Sequence, residues 1–302
     1  MKKFLFFLMV FSSFGAHSQQ HALYSQYIFN LFIVNPAYAG NREALSINAG
    51  YRAQWVGFDG SPRTQNFSAH GPIRAKNMAL GLQFQNDVIG ARRATSLAGT
   101  YSYSIRLDRK KKLSFGLQGS MLNYMIDWDK LSYGDSNEPI AYSIEPNRWI
   151  PNFDFGAMYS TAKGYLGFSA YNISNSNLSE QPESDARLST HLQLMGGKVY
   201  ELNRNFALKP GFFVRYAVDG PMQVDASLSA LFANSVWLTT TYRHGFGMVG
   251  TAQVFISEKF HFGYSYDWTL NNLAAYQSGS HEIFVGCDLS ILPAADRKPR
   301  YY

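Results

Sequence analysis

Few residues in this chain are spaced for chemistry, and those that are lack the rest of what the chemistry needs. Gly245-Phe-Gly-Met-Val-Gly250 has the G-x-G-x-x-G spacing of a dinucleotide-binding turn. Such a turn must be followed by a helix whose N-terminus takes the pyrophosphate. Thr251–Ser257 reads as a continuing strand, so these glycines form a turn. Asp127-Trp-Asp-Lys-Leu-Ser-Tyr-Gly-Asp135 spaces its acids like a calcium loop. It puts Leu131 at the third-ligand position and Ser132 where an EF-hand requires glycine, so it reads as a surface loop. His21, His70, His191, His244, His261 and His281 are scattered without metal-ligand spacing, and His281-Glu282 lacks the second histidine of a zinc-protease helix. No G-x-S-x-G elbow is present, which leaves a barrel-borne Ser/His hydrolase as a third reading only. Cys287, alone of its kind, shares a face with Ile283, Val285 and Leu289 and reads as a small hydrophobe. No cofactor is implied and the chain reads as non-enzymatic.

The one dense cluster of special residues is Ile33 to Gln65, IVNPAYAGNREALSINAGYRAQWVGFDGSPRTQ. Its Asn-Pro, glycines and aromatics suit either an active-site loop or a structural entry point. The elements around it decide.

The chain begins Met-Lys-Lys, runs apolar from Phe4 to Phe14 and reaches Ala16-His17-Ser18. This is the charged, apolar and small-residue order of a secretory signal peptide, with cleavage expected after Ser18. Loss of Lys2 and Lys3 leaves 25 basic against 21 acidic residues, a net charge of +4. So small an excess on an exported chain argues against nucleic acid as a partner. Aromatics and charged residues each make up 16%, which is aromatic-rich and charge-poor for a soluble domain. No apolar run long enough for a transmembrane helix follows the signal peptide. An exported chain of this size without a possible internal disulfide suits a bacterial envelope.

From Ala44 onward the apolar period is two. Phe260, Phe262, Tyr264, Tyr266 and Trp268 alternate with Lys259, His261, Gly263, Ser265 and Asp267, and the pattern recurs along the chain. Strand side chains alternate faces, so each such run is a strand with one apolar and one polar side. Segmentation predicts about fourteen strands of roughly ten residues, the length a tilted strand needs to cross a bilayer. They fall near 44–55, 63–71, 77–86, 93–107, 112–125, 150–160, 164–172, 187–201, 205–216, 221–232, 235–244, 247–256, 259–268 and 280–291. Every second connection is short and polar, while the long ones, Ile126–Trp149, Ile173–Ala186 and Thr269–Gly279, are all odd-numbered. Short periplasmic turns alternating with long extracellular loops mark an outer-membrane barrel. Lipid offers backbone groups no partners, so membrane-crossing strands must close on themselves. The predicted fold is an all-β transmembrane antiparallel barrel over 44–291, preceded by a periplasmic arm over 19–43 and followed by a periplasmic tail over 292–302.

Within that frame Trp55, Trp149, Trp237 and Trp268 suit interfacial girdles. Arg52, Gln54, Gln83, Arg106, Lys209, Arg215, Asp225, Arg243, Asp267, Glu282 and Asp288 fall on the inward face, where they pack the lumen or line a channel. The basic end Asp296–Tyr302 reads as an unstructured terminus or a contact for periplasmic machinery.

The N-terminal signature also carries a resemblance. Tyr24-Ser-Gln-Tyr-Ile-Phe-Asn30, Val34-Asn-Pro-Ala-Tyr-Ala-Gly40, Tyr51-Arg-Ala-Gln-Trp-Val-Gly57, Asp59-Gly-Ser-Pro-Arg-Thr-Gln65 and Ser68-Ala-His70, in this order and spacing, closely resemble the N-terminal signature of the PorP/SprF family. Its motif residues here are Asn35, Pro36, Tyr38, Gly40, Arg52, Gln54, Trp55, Gly57, Asp59, Pro62, Thr64 and Gln65. The resemblance implies an outer-membrane barrel of the Bacteroidota type IX secretion and gliding apparatus. It implies partners among secretion components, membrane lipid and the C-terminal domain of a secreted cargo such as a large adhesin. A passive channel for small solutes or apolar ligands is the alternative. Locally, the residue before a proline avoids the helical region and glycine permits the bend into the first strand. The arm is therefore expected to tuck against or into the periplasmic mouth, anchored by Arg52 and Gln54.

Overall fold

A computed structural model describes residues 24–42, 44–73, 77–127, 130, 147–178, 187–218, 220–290 and 301. Strands β1 (Ala44–Ala53), β2 (Arg63–Pro72), β3 (Met78–Ile89), β4 (Arg92–Asp108), β5 (Lys111–Ile126), β6 (Asn147–Thr161) and β7 (Gly164–Tyr171) follow in order. They continue with β8 (His191–Lys198), β9 (Tyr200–Asn203), β10 (Phe206–Ala217), β11 (Gln223–Phe232), β12 (Val236–Arg243), β13 (Gly247–Phe255), β14 (Phe260–Thr269) and β15 (Ser280–Ser290). β8 and β9 both pair with β10 and together make one crossing strand. The break falls at Val199, whose N–H turns away to Lys163 O at 2.6 Å while its side chain buries in the interior. The result is a fourteen-stranded antiparallel barrel in which each strand pairs with its neighbour in sequence. It closes where β15 pairs with β1, from Ala44 opposite Ser290 to Ala53 opposite His281. Closure leaves the crossing strands no free edge, which the absence of water in lipid demands.

The predicted segments and alternation are found in the structure. Large apolar side chains stand outward, with Leu117 61% and Phe153 63% exposed, and they form a belt too extensive for a soluble monomer. Small polar residues such as Ser46, Ser68, Thr100 and Ser229 point into the lumen and are buried. The short connections gather at one end. Ala233 and Asn234, both with positive φ (48° and 54°), form the two-residue turn whose twist matches a hairpin. The long connections lie at the other, extracellular end.

Two inward-or-girdle expectations are corrected. Trp237 is not in a girdle. It falls on the inward phase of β12, with Thr239, Thr241 and Arg243, and is buried. Arg106 is exposed rather than lumenal, and its neighbours Leu107 and Asp108 at the end of β4 are exposed too. There the β4–β5 hairpin reaches the rim and both of its faces are open.

The apolar core is not made by the wall. It is made chiefly by residues 24–42, which occupy the lumen: Tyr27, Ile28, Phe29, Leu31, Phe32, Ala37 and Tyr38 are all buried there.

Candidate functional site

The lumen segment descends in three short 3-10 turns, Gln26–Ile28, Leu31–Ile33 and Pro36–Tyr38. Asn35 is extended (φ −154°, ψ 112°), as a residue before proline must be, and its Oδ1 caps the last turn by accepting from Ala37 N at 2.9 Å. Its Nδ2 donates to Ala157 O at 3.2 Å and Phe168 O at 3.1 Å, pinning the turn to β6 and β7. The wall makes room with glycine. A Cβ at Gly116 would meet the Pro36 carbonyl carbon at 2.3 Å, one at Gly156 would meet Asn35 Oδ1 at 2.3 Å, and one at Gly81 would meet Phe32 Cζ at 2.3 Å. Gly40 (φ +70°) ends the descent between Pro72 and Ala79, where only glycine has both the angle and the space.

Side chains of the wall satisfy the carbonyls of the segment. Gln83 donates to Phe32 O (2.9 Å), Tyr171 to Ile33 O (3.1 Å) and Ser169 to Val34 O (2.7 Å). Near the short-turn end, His70 Nδ1 accepts from Gly40 N at 3.2 Å and its ring packs against Phe32 and Tyr38. Arg42 donates to Tyr38 Oη, Phe29 O and Asp288, the last at 3.0 Å. At the opposite end, Ser25 N donates to Glu282 Oε2 (2.8 Å) and Ser25 Oγ to Asp267 (2.9 Å). Arg52 completes the latch. It donates to Ser25 Oγ at 2.9 Å, to Asp267 at 2.7 Å and to Glu282 at 3.1 Å. Arg243 bridges Asp267 (3.4 Å) and Asp225 (3.2 Å) in the same buried array.

Ser25 therefore lies at the level of the long connections and Gly40 at the level of the short turns. The expected arm goes beyond tucking into a mouth and runs the length of the lumen. The reason is composition: its aromatic and aliphatic side chains gain by leaving water, and a polar, glycine-notched lumen supplies the hydrogen bonds its backbone needs.

The signature residues do not form one site. Asn35, Pro36, Tyr38, Gly40 and Arg52 belong to the lumen segment and its latch. Gln54 is buried, but among the described residues its side chain makes no hydrogen bond to the segment; its backbone N–H goes to Pro62 O at 2.9 Å. Trp55 (φ +52°) donates its N–H to Ser280 Oγ, and Val56 N–H pairs with Gly279 O, so this turn joins the first connection to the last. Gly57 (φ +96°) and exposed Asp59 shape that connection, with Pro62 buried beneath it. Thr64 is lumenal, donating to Asp87 at 2.6 Å, whereas Gln65 stands on the outer face. Sequence reading quoted Ser25 and His70 within the signature without giving either a role, and missed Ser169 and the receiving glycines 81, 116 and 156. For the glycines one signal was available, since each interrupts a strand where a side chain would otherwise pack.

The other sequence features resolve simply. Gly245 (φ +74°) and Gly247 (φ +156°) form the turn into β13. Of the Asp127–Asp135 stretch, Asp127 and Lys130 are described and pair with each other at 2.9 Å, while the rest lies outside the described residues. Among the described residues no three His, Cys, Asp or Glu converge as a metal site. Tyr301, the described residue of the tail, returns to the short-turn end. Its carbonyl accepts from buried Lys209 Nζ at 3.0 Å, and its hydroxyl donates to Glu201. Burial, then the bond to Glu201, pushes this phenol up to about 12. Lys209 also lies over the rings of Trp237 (4.8 Å) and Phe29 (5.7 Å), which ties the tail and the lumen segment to the same ammonium.

Comparison with known families decides the membership. A family model described as type IX secretion system membrane protein PorP/SprF matches residues 16–287. The chain belongs to this family. The residues read from the sequence as the signature fall in the lumen segment, its latch and the connection that joins the first strand to the last, all within the matched range. No curated relative matches the chain. Among solved structures it is similar to the CymD monoaromatic hydrocarbon channel, at 12% identity and TM-score 0.51, covering 89% of this chain and 92% of that one. It is similar to a deltaS2S3 mutant of the TodX monoaromatic hydrocarbon channel at 9% identity and TM-score 0.51, covering 92% and 97%. At such identities the likeness is one of fold, an outer-membrane barrel.

Proposed function

We propose that this PorP/SprF barrel is a non-enzymatic component of type IX secretion that helps deliver or hold an exported cargo protein, of the large adhesin type, at the cell surface. The chain reaches the outer membrane by a signal peptide cleaved after Ser18, and its tail faces the periplasm. Recognition of the cargo's C-terminal domain falls to the long-connection end, with gliding as one process served. The observation that carries this reading is the occupied lumen. Residues 24–42 run through it and are held at both ends by buried charge, by Arg52 with Asp267 and Glu282 and by Arg42 with Asp288. A barrel filled by its own chain is suited to presenting a surface rather than passing a polypeptide.

The test is deletion of the gene followed by a census of surface and secreted proteins. Loss of one adhesin with general secretion intact is the expected result. Loss of all secreted cargo places the barrel in the core machinery instead, and an unchanged census overturns the reading. The channel alternative draws support from the monoaromatic hydrocarbon channels of similar fold. Large, stable conductance of the purified protein in a planar bilayer would favour it.

A further inference from the structure

The lumen is not filled evenly. A cavity of about 100 Å³ remains between Ile33 and the inner faces of β3 to β7, in the halves of those strands nearest the long connections. Its two carboxylates are treated differently. Asp87 is neutralised by Arg92 at 2.8 Å. Asp154, 3% exposed, is held only by neutral donors: Gln118 Nε2 at 2.8 Å, Asn152 Nδ2 at 3.0 Å and Asn172 N at 2.9 Å. Asn172 turns its N–H inward from a left-handed conformation (φ +56°). No cationic side chain among the described residues pairs with Asp154. In its ionised form Asp154 is then a buried carboxylate with no counter-ion among the described residues, a state that is costly when nothing binds it.

A second observation concerns Asn152. It is 4% exposed, its Nδ2 serves both Asp154 and Asn172 Oδ1 (2.9 Å), and its own Oδ1 has no hydrogen-bond partner. Asp154, Asn152 and Asn172 all line the cavity, and each of their side-chain oxygens is an acceptor, that of Asn152 without a donor. A divalent metal would want more carboxylate or oxygen ligands than this set offers. A guanidinium is planar and wants a bidentate carboxylate, but both Asp154 oxygens already accept from amides. An ammonium is compact and brings three donors and one positive charge to three acceptors and one negative charge. The space is that of about three waters, enough for the head group and a short alkyl stem.

We propose that this cavity binds a primary alkylammonium group entering from the long-connection end, as a lysine side chain or a small free amine would supply. The site does not depend on the cargo reading, because it is defined by the barrel wall and the lumen segment inside it.

The test is calorimetric titration of the purified full chain in detergent with three probes: Nα-acetyl-lysine methylamide, n-butylamine and the uncharged Nα-acetyl-norleucine methylamide. Saturable binding of either amine, with none of the norleucine probe, is expected. Binding of the lysine probe alone assigns the site to a peptide source, and binding of n-butylamine alone to a free amine. Asp154→Asn should weaken binding at least about tenfold, the worth of a hydrogen bond to a charged group. Ser120→Lys, on the cavity wall, should abolish it by supplying the ammonium from within, and it guards against a misfolded Asp154 variant. No saturable binding of either amine, equal binding of the norleucine probe, or wild-type binding by both variants would overturn the proposal.

Discussion

Arg52 donates to Ser25 Oγ at 2.9 Å inside the lumen, with both residues buried, so the first crossing strand grips the top of the segment that precedes it. The same guanidinium pairs with Asp267 and Glu282 from the last two strands, next to the seam of the barrel. Removing one partner of a buried ion pair leaves the other charge uncompensated, at a cost of about 3–5 kcal/mol. Arg52→Met should lower the stability of the folded barrel by that order in guanidinium unfolding followed by tryptophan fluorescence. Arg52→Lys should cost less, since it keeps the charge and loses the fork. A methionine variant within about 0.5 kcal/mol of wild type, the range of an ordinary surface change, would rule the latch out.

Gly116 stands where any Cβ would meet the Pro36 carbonyl carbon at 2.3 Å. The clash is with backbone, so no side-chain rotation relieves it, yet β5 keeps its pairing with β4 and β6. Gly116→Val should leave a barrel that still migrates as folded on an unheated gel but loosens the lumen segment. In planar bilayers the variant should open where the wild type stays closed. Silent recordings from both, with equal stability, would mean that the socket is not a determinant.

Lys209 is buried with the Tyr301 carbonyl as its hydrogen-bond acceptor. Deletion of Tyr301 and Tyr302 takes that acceptor away, and an unsatisfied buried donor costs about 1–3 kcal/mol, more when charged. Denaturant midpoints should fall accordingly. Lys209→Met in the shortened chain should recover most of the loss, because the charge that needed the carbonyl is gone. If the second change deepens the loss instead, Lys209 is held mainly by Trp237 and Phe29.

The outer face predicts a gradient. Leu117 lies near the middle of β5 and Leu107 near the rim end of β4, and both are exposed. In a bilayer, arginine costs about 2–4 kcal/mol at mid-depth and about 0–1 kcal/mol near the interface. Leu117→Arg should therefore destabilise the barrel much more than Leu107→Arg in lipid vesicles, measured by reversible unfolding. Equal effects would contradict the assigned depth.

The wall was legible in the sequence because side-chain alternation is a local property. A period of two places Leu97, Tyr101 and Tyr103 on one face and Thr100 and Ser102 on the other, whatever the neighbours are. The breaks in that legibility are local too. Trp237 looked like a girdle residue because an aromatic at a strand end satisfies lipid and lumen equally until its phase against Thr239 and Arg243 is known. The lumen could not be read in this way. Its contacts join Ser25 to Glu282 and Arg52 to Asp267, residues 257 and 215 positions apart. Which lumenal charge meets which depends on strand register and on closure between β1 and β15. The sequence by itself determined a closed barrel with polar residues inside, because lipid leaves strand backbones no other option. Only the tertiary structure decided that the chain's own N-terminal segment fills that interior, because the fit of Asn35, Pro36 and Phe32 into notches at Gly116, Gly156 and Gly81 exists only once the strands stand side by side.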